Sequence, residues 1–111
     1  MKTSIHKLFG AKLENIDEAR TALERLLGVR FAPHESLYFG GDYFRFEEAG
    51  TTLMLRCNFF DDDGDWVESA FPDERLLLNF DAGAGNPLAL EILKRFANAL
   101  EIFPLLRDDS R

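Results

Sequence analysis

Four aspartates surround one glycine in the stretch Asn58-Phe59-Phe60-Asp61-Asp62-Asp63-Gly64-Asp65-Trp66, and aromatic residues bracket them. Clustered carboxylates of this kind can hold calcium. The helix-flanked loop that does so takes oxygen ligands at positions 1, 3 and 5, glycine at 6 and glutamate at 12. Counted from Asp61, the acids fill the first three of those positions, but Trp66 stands where the glycine belongs and Pro72 where the glutamate belongs. Asp63-Gly64 between two alternating runs is instead a hairpin signal. Such a turn needs one aspartate and the glycine. Asp61, Asp62 and Asp65, beside Phe60 and Trp66, are a surplus that turn geometry does not use. A solvated hairpin that resists aggregation and a partner-facing patch both accommodate that surplus.

Other chemistry-bearing residues are isolated. His6 and His34 lack a second ligand at metal spacing, such as the i, i+4 pair of a helical zinc site. Cys57 is the single cysteine, which excludes an internal disulfide and cysteine-type zinc clusters. It falls on the apolar side of an alternating run and reads as a small core residue. The glycine-rich stretch Asp81-Ala82-Gly83-Ala84-Gly85-Asn86-Pro87 joins a strand pattern to a helix pattern, as phosphate-cradling loops do. No lysine follows it and dinucleotide spacing is missing, so it reads as entry to a capped helix. No serine sits in a nucleophile-elbow context. No metal, cofactor or catalytic residue is expected, and the chain is expected not to be an enzyme.

The elements that must position the acidic stretch follow from periodicity. Asn15 is an N-cap with Glu18 three residues on, and Ile16, Ala19, Leu23, Leu26 and Leu27 keep helical spacing until Gly28 stops it. That predicts an amphipathic helix over 16–27. The period then changes to two. Phe44 and Phe46 share a face. Leu53, Leu55, Cys57 and Phe59 form the next inner face, Val67 and Ser69 a third, and Leu76, Leu78 and Phe80 a fourth. Short links between consecutive runs require antiparallel pairing. Asn86-Pro87 opens a second helix with Ala89, Ile92, Leu93, Phe96, Ala97 and Leu100 on one face, expected to run until about Glu101. Residues 1–14 have no clean period and fit either a short strand or an irregular arm. The expectation is a single α+β domain over 1–111: helix, four-stranded antiparallel meander, helix, with both helices on one face of the sheet.

Composition narrows the function classes. With 111 residues the chain is the size of one domain, and 46% hydrophobic with 30% charged is globular composition. Twenty acidic residues against 13 basic ones give a net charge of −7, which repels nucleic-acid backbones and anionic membranes and suits a basic protein partner. No basic leader followed by an apolar run opens the chain, and no stretch approaches the ~20 apolar residues of a membrane span, so a cytoplasmic location is expected.

The run LLGVRFAPHESLYFGGDYFRFE, then TTLMLRCNF, then FPDERLLLNF resembles small bacterial immunity proteins of polymorphic-toxin and contact-dependent growth inhibition systems, over residues 22–81. That resemblance implies a non-enzymatic protein that binds and blocks a cognate toxin domain, often a basic nuclease. On this reading Asp61, Asp62, Asp63, Asp65, Trp66 and Glu68 meet the partner, and Glu47 and Glu48 extend the same acidic rim. The strand–helix–strand–strand order of residues 7–56 also resembles one module of the glyoxalase/dioxygenase superfamily. That implies a metal held by His6 and Glu47 in a dimer. A generic adaptor domain is the third possibility.

Overall fold

The computed structural model describes residues 3–36, 41–58, 71 and 74–111, with backbone alone at 36, 41 and 42. Helix α1 (Ile16–Leu27) has the ends its sequence predicts. Asn15 Oδ1 accepts from the Glu18 N–H at 2.9 Å, and Gly28 closes the helix in the left-handed region at φ 67°. A non-glycine residue is strained there. Its apolar stripe Ala19, Leu23, Leu27 is buried.

The α+β class holds, but the four-stranded meander does not. The described chain carries six strands: β1 (Ser4–Gly10), β2 (Ala32–Ser36), β3 (Gly41–Glu48), β4 (Thr51–Cys57), β5 (Leu76–Gly83) and β6 (Leu105–Asp108). They form one antiparallel sheet in the order β2-β3-β4-β5-β1-β6. The chain's opening residues thus supply an inner strand. β1 shows no clean period because it buries residues on both faces, Ile5 and Phe9 on one and Leu8 on the other. β2 contains Pro33, which removes a ladder donor and suits an edge position. β6 is the opposite edge and only four residues long. The strand expected around Val67 and Ser69, and the inner position of Phe59, fall outside the described residues.

Helix α2 (Pro87–Phe96) starts where expected and stops earlier. Asn86 Oδ1 accepts from the Ala89 N–H at 3.1 Å, and Pro87 occupies the first turn, where its missing N–H costs nothing. After Phe96 the chain tightens: Asn98 N–H bonds to Arg95 O and Ala99 N–H to Phe96 O. Leu100 ends exposed, and Phe103 is buried instead. Both helices contribute to one core. Leu23 and Ile92 join Phe46, Leu53, Leu55, Leu78 and Phe80, and Phe9 stacks on Phe96 with ring centroids 4.4 Å apart. The far face of the sheet is also partly covered, since Leu8 and Leu77 there are 1% and 0% exposed. No helix among the described residues is long and apolar enough to cross a membrane.

β6 is pinned to β1 by main-chain bonds and by Lys7 Nζ, which donates to Asp108 Oδ2 at 2.8 Å. The hydrogen bonds from Lys7 and then from Ser110 hold the Asp108 carboxyl well below the usual carboxylate range. A carboxyl whose folded-state pKa is depressed adds stability above its unfolded value and loses it as pH falls through the folded one. Asp108→Asn should therefore lower stability from neutral pH down to about pH 4, near the unfolded value. The gap to wild type should close only in stronger acid. Denaturant unfolding across pH checks this, and a gap that is already gone at pH 5 refutes it. Phe80, 0% exposed, should cost about 3–5 kcal/mol on truncation to alanine. Phe44, half-buried beneath Arg20, should cost clearly less. The same unfolding measurement ranks the two.

Candidate partner-binding site

β4 and β5 are ladder partners, and the pair at the end of β4 is Cys57 with Leu76. Between those two positions the chain makes an excursion over residues 58–75. In sequence this excursion holds Asp61, Asp62, Asp63, Asp65, Glu68, Asp73 and Glu74 and no lysine or arginine before Arg75. The rest of the chain holds thirteen acidic and thirteen basic residues. The net charge of −7 is therefore carried entirely by residues 58–74. The same segment contains Phe59, Phe60, Trp66 and Phe71. The predicted contact residues Asp61, Asp62, Asp63, Asp65, Trp66 and Glu68 lie outside the described residues.

The base of the excursion is described, and it is tightly bonded. Asn58, 4% exposed, donates from Nδ2 to Phe71 O at 3.0 Å and to Glu74 O at 2.9 Å. Its own N–H bonds to Arg75 O at 2.8 Å. Glu74 Oε1 accepts from Lys12 Nζ at 2.5 Å, and its Oε2 sits over Gly10, where an added Cβ would come within 2.5 Å of it. A side chain at Gly10 would push that carboxylate away. Sequence reading missed Asn58, because a polar residue after Cys57 looks like the solvent side of an alternating strand. Its signal was position: an amide at a strand end, facing a chain that must return.

Glu47 and Glu48 are exposed at the other end of β3. Glu48 pairs with Thr51, and six residue steps of ~3.4 Å put Thr51 about 20 Å along β4 from Cys57. Successive strand residues face opposite sides, so the two glutamates do not share a face. Glu47 is also paired with Arg45 at 2.5 Å. The structure therefore gives them no continuous rim with the excursion.

His6 Nδ1 and Asp81 Oδ1 are 2.6 Å apart on the far face, both about half exposed. Glu47 lies in the same cross-strand row, through Thr52 and Asp81 to His6. Three strand spacings of ~4.8 Å separate His6 from Glu47 by about 14 Å, too far for one ion within a single chain. Among the described residues no group of three or more His, Cys, Asp or Glu is placed to hold a metal. His34 stacks on Tyr43 with centroids 5.3 Å apart, a cross-strand ring pair that stabilises the β2–β3 hairpin. Cys57 is half-buried at the end of β4.

Compared with protein-family models and with curated proteins, the chain has no match.

Asn58→Ala should destabilise the protein by about 1–3 kcal/mol, because a buried side chain is lost and two part-buried carbonyls lose their shared donor. Thermal or urea unfolding checks this. A loss under ~0.5 kcal/mol, the range of an inconsequential surface change, would show that other donors replace it.

Proposed function

We propose that this chain is a non-enzymatic binding protein whose acidic excursion between β4 and β5 engages and neutralises a cognate basic toxin domain, a nuclease in the first instance. One observation carries the reading. All of the net charge falls in a single segment between two adjacent ladder positions, and the remainder is balanced. Folding does not require that segregation. Glu74 is paired with Lys12, but the other six acids of the segment add like charge to like charge, and a basic partner offsets that repulsion. The resemblance of residues 22–81 to immunity proteins supports the same reading.

Asp61, Asp62, Asp63, Asp65 and Glu68 would steer the encounter, since clustered charge of one sign raises association rates by about 10–10³-fold at low salt. Trp66, with Phe60 beside the acids, would supply the apolar anchor that slows dissociation. Steering and anchoring act on different rate constants, which makes the proposal separable into two measurements.

The experiment is binding kinetics against the toxin domain encoded beside this gene, at two salt concentrations. Reversing Asp61, Asp62 and Asp65 to lysine should slow association roughly tenfold or more and flatten its salt dependence. Folding stability should stay within about 0.5 kcal/mol per site. Trp66→Ala should leave association nearly unchanged and speed dissociation. Unaltered rates in the triple reversal would leave the acidic segment as a solvated turn and end the proposal.

A further inference from the structure

Arg20, Arg25 and Arg30 line a groove of about 570 Å³ at the C-terminal end of α1, together with Thr21, Glu24 and Phe31. Glu24 is the acid of that lining, and both of its oxygens are engaged. Oε1 accepts from Arg20 Nη1 at 3.1 Å, and Oε2 accepts from the Phe31 N–H at 2.9 Å. Arg20 is held further by the Phe44 ring, 5.2 Å from its guanidinium carbon, and its buried Nε has no hydrogen-bond partner. Arg25 and Arg30 are exposed and make no hydrogen bond or ion pair among the described residues. A fourth guanidinium reaches over from α2, where Arg95 Nη1 donates to Leu26 O at 3.3 Å.

A helix C-terminus favours cations, which accounts for Arg25 in the last turn. It does not account for Arg30, which lies beyond the helix. Nor does the helix end repel an anion strongly here, because two of its carbonyls are capped. Leu26 O accepts from Arg95, and Glu24 O accepts from the Gly28 N–H. What remains is a groove whose lining carries one guanidinium paired with acids, Arg20 with Glu24 and at 4.0 Å with Asp17, and two unengaged ones, Arg25 and Arg30.

We propose that this groove is an oxyanion site that takes a phosphate group, with Arg25 and Arg30 as its direct ligands and Arg20 fixed behind them. Guanidinium forks match phosphate oxygens in pairs and stay charged at any pH the protein meets. The chain's overall acidity does not oppose this, since the net charge belongs to residues 58–74 and the rest is balanced. The site is independent of the partner-binding reading and stands or falls alone.

The test titrates the full chain with inorganic phosphate, and separately with glycerol phosphate, against sodium chloride at matched ionic strength. Melting temperature and calorimetry are the readouts. Phosphate should raise Tm where chloride does not. Arg25→Ala with Arg30→Ala should weaken binding roughly tenfold or more, as loss of charge-assisted bonds requires. Arg111→Ala, remote in sequence and outside the lining, should leave binding unchanged. Arg30→Glu alone gives the same reading if the double variant loses stability. A response to glycerol phosphate without one to free phosphate supports the site and identifies an esterified ligand. No response to either, equal responses to phosphate and chloride, or equal binding by wild type and the arginine variants would overturn it.

Discussion

Leu76, Leu77 and Leu78 are 3%, 0% and 0% exposed, and this consecutive burial organises the molecule. Side chains alternate along a strand, so a strand that buries neighbours in sequence must be covered on both faces. It must also have a partner at each edge, or its main-chain groups would be stranded beside apolar surface. β4 occupies one edge of β5 and β1 the other. Recruiting β1 to that edge puts Phe9 against Phe96 on the helix side and Leu8 beneath the far face. It also leaves β1 an outer edge, which the short β6 fills. The six-stranded order follows from one strand's need for cover.

That arrangement fixes where the acidic segment leaves the sheet and where it returns. Cys57 and Leu76 are paired by the ladder whatever lies between them. Asn58 then ties the return chain at its base with one side-chain amide, which satisfies two carbonyls that would otherwise be part-buried without donors. Asn86 does comparable duty at the opposite end of the sheet. Its Oδ1 caps α2 while its Nδ2 donates to Ala49 O in the β3–β4 turn, where Ala49 itself has φ 49°. Two asparagines thus bind irregular chain to regular chain, and neither displays its role in periodicity.

Legibility in the sequence tracks how many faces an element buries. α1 has one apolar stripe, a capping asparagine and a stopping glycine, and its limits were readable. β3, β4 and β5 show apolar residues at every second position and were readable as strands. Leu77, the middle leucine of β5, breaks that alternation, which was the hint that the far face is not simply solvent. β1 hides because Ile5, Leu8 and Phe9 serve two faces. β2 hides because Pro33, His34 and Glu35 look like loop chemistry, which an edge strand tolerates. α2 was read too long because Ala97 and Leu100 continue its period with no glycine or proline to end it. At the candidate site the surplus of aspartates was plain from composition alone. The separation of Glu47 from Glu48 was also readable, since adjacent strand residues cannot share a face.

Charge placement carries the last step. Lys7, Lys12, Arg20, Arg45, Arg95 and Arg107 each sit within an ion pair with a nearby acid. Exposed pairs of this kind add little stability each, typically under ~1 kcal/mol. Together they leave the body with no net charge, and the fields of such exposed pairs fade beyond a Debye length of about 8 Å. Against that body, the acids between Cys57 and Leu76, of which Glu74 is paired with Lys12, carry the whole of the net charge. Dispersing the same acids around the sheet would give equal solubility and less repulsion, and would cost the ladder nothing. Their concentration in sequence, between two paired strand ends, is the observation on which the partner-binding proposal rests.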